Sequence, residues 1–219
     1  MKKNYFVTGT DTNVGKTWAT LALMQHFKNQ NLSVLGMKPV ASGCEKVGNE
    51  WQNSDALAIQ KMGSQFVEYS ILNPFAYELP ISPHLAGKKN PANLETIFAN
   101  FQTLQNLADV LIVEGAGGWY APLNETETIS DLAQILNVPI ILVVAIKLGC
   151  INHALLTFET IQNANLNCVG WVAVCNDADF DCVDLTIESI KNRSNAPLIA
   201  TIPYSTIFNY STEFKFEND

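Results

Sequence analysis

The chain has 219 residues, of which 47% are hydrophobic, and it carries 13 lysine and arginine residues against 21 aspartate and glutamate residues. This length and apolar content are enough for one buried core, so we expect a single α/β domain over residues 1–219, with the tail 206–219 the least certain part. The net charge of −8, without a long basic stripe, argues against nucleic acid or an anionic membrane as a partner.

The cysteines and the apolar runs indicate the cellular compartment in which the protein would be found. Five cysteines, an odd number without a Cys-x-x-Cys pair, favour reduced thiols over a disulfide framework or a zinc site. The first residues lead into a strand without a signal-peptide core, and the longest apolar run, residues 138–146, is too short to cross a bilayer. We therefore expect a soluble, cytoplasmic protein with no membrane partner.

Strand-like and helix-like segments alternate along the chain. The predicted strands are residues 5–8, 33–38, 110–113, 138–146, 168–174 and 198–202. The predicted helices are residues 16–28, 53–62, 94–107, 129–136, 152–163 and 184–191. Residues 73–91 are rich in proline, have no clear period and are predicted to be loop. Nearly continuous apolar strands between helices indicate a mostly parallel sheet with helices on both faces.

The segment that joins the first strand to the first helix carries the strongest motif. Residues 9–17 form a glycine-bounded loop that ends in Gly15, Lys16 and Thr17. In a phosphate-binding loop, backbone N–H groups cradle the phosphates, the lysine reaches the β- and γ-phosphates, and the hydroxyl can bind Mg²⁺. Five residues separate Gly9 from Gly15, where the common pattern has four. The motif predicts an α/β, single-domain, P-loop NTPase-like fold; an ordinary strand–turn–helix is the alternative.

Polar residues follow three further strands, and in a parallel sheet these strand ends share the edge where ligands bind. Lys38 and Ser42 follow the second strand, and residues 147–150 follow the fourth. Glu114, with glycines behind it, follows the third strand and is a candidate Mg²⁺ ligand, although a capping or salt-bridged glutamate would also fit. Asp55 is either a second metal ligand or part of a helix start.

Lys38 is either a second cation for a transferring phosphoryl group or a solvated surface lysine. The loop after the fourth strand opens a helix whose free N–H groups could hold a carboxylate. In that loop, Asn152 could be only the helix N-cap, and Cys150 could be only a small buried residue.

Six segments together resemble the dethiobiotin synthetase family, in order and with similar spacing, from about residue 5 to residue 204. They are residues 6–17, 37–43, 53–57, 82–84, 113–119 and 143–154. The resemblance implies a ligase that depends on ATP and Mg²⁺. It would close a ureido ring from 7,8-diaminopelargonic acid (7,8-diaminononanoate) and CO₂, through a carbamate and its mixed anhydride with phosphate. The resemblance also implies a homodimer with the active site at the subunit interface.

The resemblance implies roles for individual residues. Lys16 and Lys38 would be catalytic, and Thr17, Asp55 and Glu114 would hold Mg²⁺. Thr12, Ser42, Gly149, Cys150 and Asn152 would bind the diamine substrate. The ATP contacts would be Asn13, Val14, Gly15, Lys16, Thr17, Trp18, Asp55, Glu114, Gly115, Ala116, Gly117, Asn176, Pro203, Tyr204 and Ser205.

The chain departs from the family pattern at two positions. Asn13 stands where many members have an acidic residue, and Val174 stands where the family has its adenine-binding asparagine, so Asn176 is assigned to the base instead.

Two other functions stay open. A P-loop amidoligase of the cobyrinic-acid type would need an ammonia source, and a ParA/MinD-like switch would need a second lysine where this chain has Thr10 or Asp11.

Overall fold

A six-stranded sheet organises the computed structural model, which describes residues 2–207 and 212–216. The strand order is β10-β9-β8-β1-β7-β2, and every neighbouring pair is parallel. The carboxyl ends of these strands therefore meet at one edge, as predicted. The strands are β1 Lys3–Gly9, β2 Val34–Met37, β3 Val40–Ser42, β4 Glu45–Val47, β5 Glu50–Gln52, β6 Phe75–Tyr77, β7 Val110–Glu114, β8 Ile140–Ala145, β9 Cys168–Val174 and β10 Leu198–Ile202.

Helices cover both faces of this sheet because successive side chains of a strand point to opposite faces. In β8, Ile141 and Val143 belong to one apolar cluster, whereas Leu142 and Val144 belong to another. The first cluster includes residues of α1, and the second includes residues of α7 and α8. The helices are α1 Lys16–Asn29, α2 Ser54–Met62, α3 Tyr69–Leu72, α4 Pro83–Ala86, α5 Leu94–Leu104, α6 Ile129–Leu136, α7 Cys150–Asn163 and α8 Val183–Lys191.

The predictions for long, strongly patterned segments are confirmed. The helix predicted at 129–136 and the strands predicted at 168–174 and 198–202 have the observed bounds. The prediction that residues 73–91 are loop is wrong in part, because β6 and α4 lie within it. Strand β6 pairs in parallel with β3, a contact with a distant segment that local pattern could not reveal. The antiparallel hairpin of β4 and β5 was also missed.

The tail packs where it is described. The backbone N–H of Lys215 donates to the carbonyl of Ile199 at 2.8 Å, and Phe214 is buried. The ring of Phe216 stacks on Tyr5 and on Phe27, with centroids 5.6 and 6.0 Å apart. Residues 208–211 and 217–219 of the tail lie outside the described residues.

Ser33 and Asp109 connect the starts of β2 and β7. The Asp109 carboxylate accepts hydrogen bonds from the Ser33 backbone N–H at 2.9 Å and from its hydroxyl at 2.6 Å. These two hydrogen bonds, the side-chain bond foremost, hold the pKa of Asp109 below its ordinary value of 3.8. The ionised form is therefore the one that the folded protein stabilises.

Replacing Asp109 by alanine removes these two hydrogen bonds, although the backbone bond to Ser33 stays, and we expect the free energy of unfolding to decrease at neutral pH. Since the folded-state pKa of Asp109 is depressed, its contribution is present above the ordinary value of 3.8 and is lost as the pH falls through the folded-state pKa. Urea unfolding of both proteins from about pH 6 to about pH 3 should show the difference shrinking at the acid end. A difference that does not change with pH would contradict a role for the charge.

Candidate active site

The loop between β1 and α1 has the backbone that phosphate binding requires. Asn13 and Gly15 adopt left-handed conformations, with φ of 57° and 92°. A side chain on Gly15 would meet Val174, since an added Cβ would lie 2.7 Å from Cγ1 of that valine. Helix α1 begins at Lys16 directly after this loop, so its first N–H groups and the positive end of its dipole lie beside the loop.

Four side chains from separate segments meet at the carboxyl edge of the sheet. Glu114 ends β7, and its Oε1 accepts hydrogen bonds from the Nζ of Lys38, which follows β2, and from the hydroxyl of Thr17 in α1, the latter at 3.0 Å. The Nζ of Lys38 lies 3.2 Å from Oδ2 of Asp55 in α2. The structure thus brings together Thr17, Lys38, Asp55 and Glu114 as predicted, and Lys38 is not a solvated surface lysine.

Burial and charge oppose each other at Lys38. Burial, the larger single influence, lowers the pKa of Lys38, but the carboxylates of Glu114 and Asp55 together outweigh it. The pKa of Lys38 is therefore raised above 10.5, and the side chain stays a cation at neutral pH. Glu114 is itself 0% exposed, so each member of the pair supplies the charge that the other needs.

Lys16 has the opposite electrostatic balance. Its Nζ donates a hydrogen bond to the backbone carbonyl of Asp11 at 2.7 Å. Burial lowers the pKa of Lys16 to about 8; Glu114 partly opposes this effect, while the neighbouring Lys38 cation adds to it. The side chain is therefore close to its titration range at neutral pH, and an added anion such as a phosphate would favour its charged form.

The oxygen atoms around Glu114 fit a hard divalent cation. The Oε2 atom of Glu114 is buried and accepts no hydrogen bond from any described residue. The Thr17 hydroxyl lies beside the other oxygen of this carboxylate, and the side chain of Asp55 is 44% exposed and faces the cavity. A buried carboxylate oxygen without a partner is costly, and Mg²⁺ binds carboxylate and hydroxyl oxygens. Glu114, Thr17 and Asp55 are thus the side chains that could hold Mg²⁺.

A cavity of about 980 Å³ lies over this cluster, in the size range of small-molecule sites. Most of the predicted site residues line it. They are Thr12, Asn13, Gly15, Lys16, Thr17, Trp18, Lys38, Ser42, Asp55, Glu114, Ala116, Gly117, Asn176, Tyr204 and Ser205. Val14, Gly115 and Pro203, which were predicted to contact ATP, do not line the cavity, and the Val14 side chain is buried in the core.

The predicted substrate residues at the start of α7 do not line the cavity either. They are Gly149, Cys150 and Asn152. The Cys150 side chain is buried, and its backbone N–H donates to the carbonyl of Lys147 at 3.1 Å. Asn152 is not the helix N-cap, because Gly149 occupies that position with a φ of 89°. Within one chain, this segment therefore does not join the phosphate loop in a common cavity.

Sequence reasoning missed one wall of the cavity. Residues 80–83, which follow β6, line it together with Val40 and Ala41 of β3. The backbone N–H of Cys44 donates to the carbonyl of Tyr77, and the backbone N–H of Gly43 donates to the carbonyl of Leu79. These hydrogen bonds hold the segment after β3 against the segment after β6. The segment 82–84 belonged to the family resemblance, and that was the one available signal that this loop contributes to the site.

The residues that end and follow β9 and β10 form another part of the cavity wall. Val174, Cys175, Asn176, Tyr204 and Ser205 line it. Val174, which stands where the family has its adenine-binding asparagine, is buried against the phosphate loop. The side-chain amide of Asn176 donates to the backbone carbonyl of Asn13 at 3.1 Å.

The parallel sheet, the phosphate loop and the paired lysines define a P-loop NTPase-like protein. A family model described as an AAA domain matches residues 3–210. An ATP-dependent dethiobiotin synthetase from Cellvibrio japonicus is 44% identical, over 92% of this chain and 90% of that relative. Another from Escherichia coli is 47% identical, over 93% and 92%. The chain belongs to the ATP-dependent dethiobiotin synthetase family.

Solved structures with low sequence identity share the fold. The MinC:MinD cell division protein complex of Aquifex aeolicus matches with a TM-score of 0.60 at 15% identity, over 93% of this chain and 82% of that chain. The signal recognition particle receptor FtsY of Elizabethkingia anophelis matches with a TM-score of 0.58 at 16% identity, over 98% of this chain and 63% of that chain. Both likenesses concern the fold alone, so the MinD likeness does not support a switch function.

No helix within residues 2–207 and 212–216 has the length and apolar character to cross a membrane.

Replacing Lys38 by methionine would leave Glu114 buried without the cation beside it. We expect the free energy of unfolding to fall by about 3–5 kcal/mol, because an uncompensated charge then stays in the protein interior. Urea unfolding without nucleotide and without divalent metal measures this loss. The Lys38→Met/Glu114→Gln double variant should recover most of it, since neither charge remains. Equal losses in the single and double variants would contradict the charge-pair explanation.

The depressed pKa of Lys16 predicts proton uptake when a polyphosphate binds. At pH 8 about half of the free protein carries a neutral Lys16, and a bound anion raises this pKa, so ATP binding should take up about 0.5 proton. Uptake should fall to about 0.1 proton near pH 7, and ATP affinity should weaken as the pH rises above about 8. Calorimetry in buffers of different ionisation enthalpy, without divalent metal, measures the uptake. The uptake should disappear in Lys16→Met; its persistence there would assign the proton to another group.

Proposed function

We propose that this protein is a dethiobiotin synthase that uses ATP to close the ureido ring from 7,8-diaminopelargonic acid and CO₂. Membership in the dethiobiotin synthetase family supports the reaction. The observation that carries the site is the buried contact of Lys38 with Glu114 beside Lys16 and Thr17, because it places two lysines and the start of α1 around one small volume. We take residues 1–219 to be one ligase domain.

The proposed reaction proceeds through three steps. One amine of the substrate attacks CO₂, an N–C bond forms, and the nitrogen loses a proton to give a carbamate. An oxygen of the carbamate attacks the γ-phosphorus of ATP, which forms a carbamic-phosphoric anhydride and releases ADP. The second amine then attacks the carbonyl carbon, a proton leaves the nitrogen, and phosphate departs as the ring closes. No step requires a protein nucleophile, so the protein contributes position and charge.

The two lysines have different electrostatic roles in this proposal. Lys38 stays a cation throughout, since Glu114 and Asp55 raise its pKa, and it would offset negative charge on the carbamate and the transferring phosphoryl group. Lys16 would leave the Asp11 carbonyl and contact the β- and γ-phosphates. Ser42, whose hydroxyl is buried and has no hydrogen-bond partner among the described residues, and Thr12 would face the diamine or its carbamate.

Mg²⁺ is proposed as the metal on the strength of the oxygen atoms around Glu114. Thr17, Asp55 and Glu114 would hold it, directly or through water. When bound, the ion would neutralise charge on the β- and γ-phosphates. The phosphate loop and residues 114–117 would contact the nucleotide, with Trp18 and residues 203–205 completing the ATP site.

In the proposed homodimer, the start of α7, which does not line the cavity of its own chain, would contribute to the site of the partner chain. Gly149, Cys150 and Asn152 would bind the substrate carboxylate at the active site of the partner subunit, through the N-terminus of this helix. Leu148, directly before Gly149, is 91% exposed. The homodimer itself is proposed from the family resemblance. Five free cysteines, four of them buried or half-buried, support a cytoplasmic location.

Product formation tests the function. Purified protein is mixed with Mg²⁺, ATP, isotope-labelled bicarbonate and 7,8-diaminopelargonic acid, and each component is omitted in turn. Mass spectrometry should detect labelled dethiobiotin only in the complete mixture, with one ADP released per product. A folded protein that binds ATP and forms no dethiobiotin would contradict the proposed reaction.

Lys38→Met tests the place of this lysine in the reaction. We expect turnover to fall by about 100-fold or more, because a fixed charge beside the reacting group is lost, while ATP binding changes far less. Lys61→Met removes an exposed lysine of α2 and serves as the matched control with normal turnover. Circular dichroism measures the folded fraction of each protein. Equal losses of turnover and ATP affinity would contradict a position of Lys38 beside the carbamate.

A further inference from the structure

The end of β9 touches the phosphate loop at two points. The side-chain amide of Asn176 donates to the backbone carbonyl of Asn13 at 3.1 Å. Val174 packs against Gly15 so closely that an added Cβ on the glycine would lie 2.7 Å from Cγ1. Both loop residues have positive φ, at 57° and 92°. The two contacts therefore fall on the residues whose backbone is the most unusual in the loop.

The hydrogen bond to Asn13 fixes the orientation of one peptide group. The carbonyl of Asn13 and the N–H of Val14 belong to the same peptide unit, and no peptide bond among the described residues is cis. In a planar trans peptide these two groups point in opposite directions. When Asn176 holds the carbonyl, it therefore also directs the N–H of Val14 away from β9, even though the Val14 side chain is buried in the core.

The strand end that carries Asn176 is itself held on both sides. The backbone N–H of Cys175 donates to the carbonyl of Ile202 in β10 at 2.9 Å. The carbonyl of Val174 accepts from the N–H of Ile146, which follows β8, at 2.8 Å. An amide just beyond such a strand end can hold a loop in place, because the backbone that leads to it is hydrogen-bonded to two neighbouring segments.

We propose that Asn176 is a positioning residue for the triphosphate: it orients the Asn13–Val14 peptide of the phosphate loop and does not read the base. The proposal deepens the nucleotide binding proposed above and rests on it. It replaces the base-reading role that the sequence assigned to Asn176. It also gives Val14 a contact with ATP through its backbone N–H, although its side chain does not line the cavity.

A ligand without a base separates the two roles. Dissociation constants for ATP, CTP and inorganic tripolyphosphate are measured with Mg²⁺ on the wild-type protein and on Asn176→Ala. Loss of one neutral hydrogen bond should weaken all three ligands by a similar factor of about 2 to 10. The free energy of unfolding should stay unchanged, because Asn176 is exposed. The KM for ATP should rise while kcat changes less.

Asp177→Ala provides the matched control. Its carboxylate accepts a hydrogen bond from the backbone N–H of Asp179 within the same exposed loop, so this variant disturbs the loop but leaves the contact with Asn13 in place. Ligand affinities should then be retained, and weakening like that of Asn176→Ala would overturn the proposal.

Two further outcomes of the Asn176→Ala measurement would overturn the proposal. Weaker binding of ATP with unchanged binding of tripolyphosphate would identify Asn176 as a base reader. Unchanged binding of all three ligands would show that Asn176 has no role in binding the triphosphate. If tripolyphosphate binds too weakly to measure, the losses of affinity for ATP and CTP are compared with each other. Equal losses support the positioning role, and unequal losses identify Asn176 as a base reader. Binding is measured without dethiobiotin formation, so failure of the proposed reaction would be seen separately.

Discussion

The burial of Glu114 is the constraint on which the site depends. A carboxylate that is 0% exposed at the end of a central strand needs compensating groups, and each comes from a different segment. Lys38 follows β2 and supplies the cation, and Thr17 in the first turn of α1 supplies a hydroxyl. These groups meet because β1, β2 and β7 are parallel neighbours whose carboxyl ends share one edge.

Burial and the neighbouring charges give the two lysines different pKa values. Lys38 lies between two carboxylates that raise its pKa, so it is a permanent cation. Lys16 is buried beside the Lys38 cation, and burial lowers its pKa to about 8. Lys38 is therefore fully charged before any ligand arrives, whereas Lys16 has a small neutral fraction near pH 7 that becomes charged as an anion binds. Such a pair suits a site that must first attract a polyphosphate and then stabilise a second developing anion.

The cavity of one chain contains only part of the predicted site. The phosphate loop, Lys38 and residues 80–83 line it, whereas the start of α7 does not. In the proposed homodimer, one chain would hold the nucleotide and the reacting groups, and the start of α7 of its partner would bind the substrate carboxylate.

Local sequence signals were enough to predict the α/β class, the longer strands and helices, the family and the residues around Glu114. These signals are apolar runs, glycine-bounded loops and charges directly after strands. They did not reveal β6, the wall at residues 80–83, or the hydrogen bond from the amide of Asn176 to the Asn13 carbonyl. Each of these depends on contacts between residues far apart in the chain: β3 with β6, and the end of β9 with the loop after β1. Only the tertiary structure could decide them, since a three-residue strand or one hydrogen bond leaves no periodic pattern in the sequence.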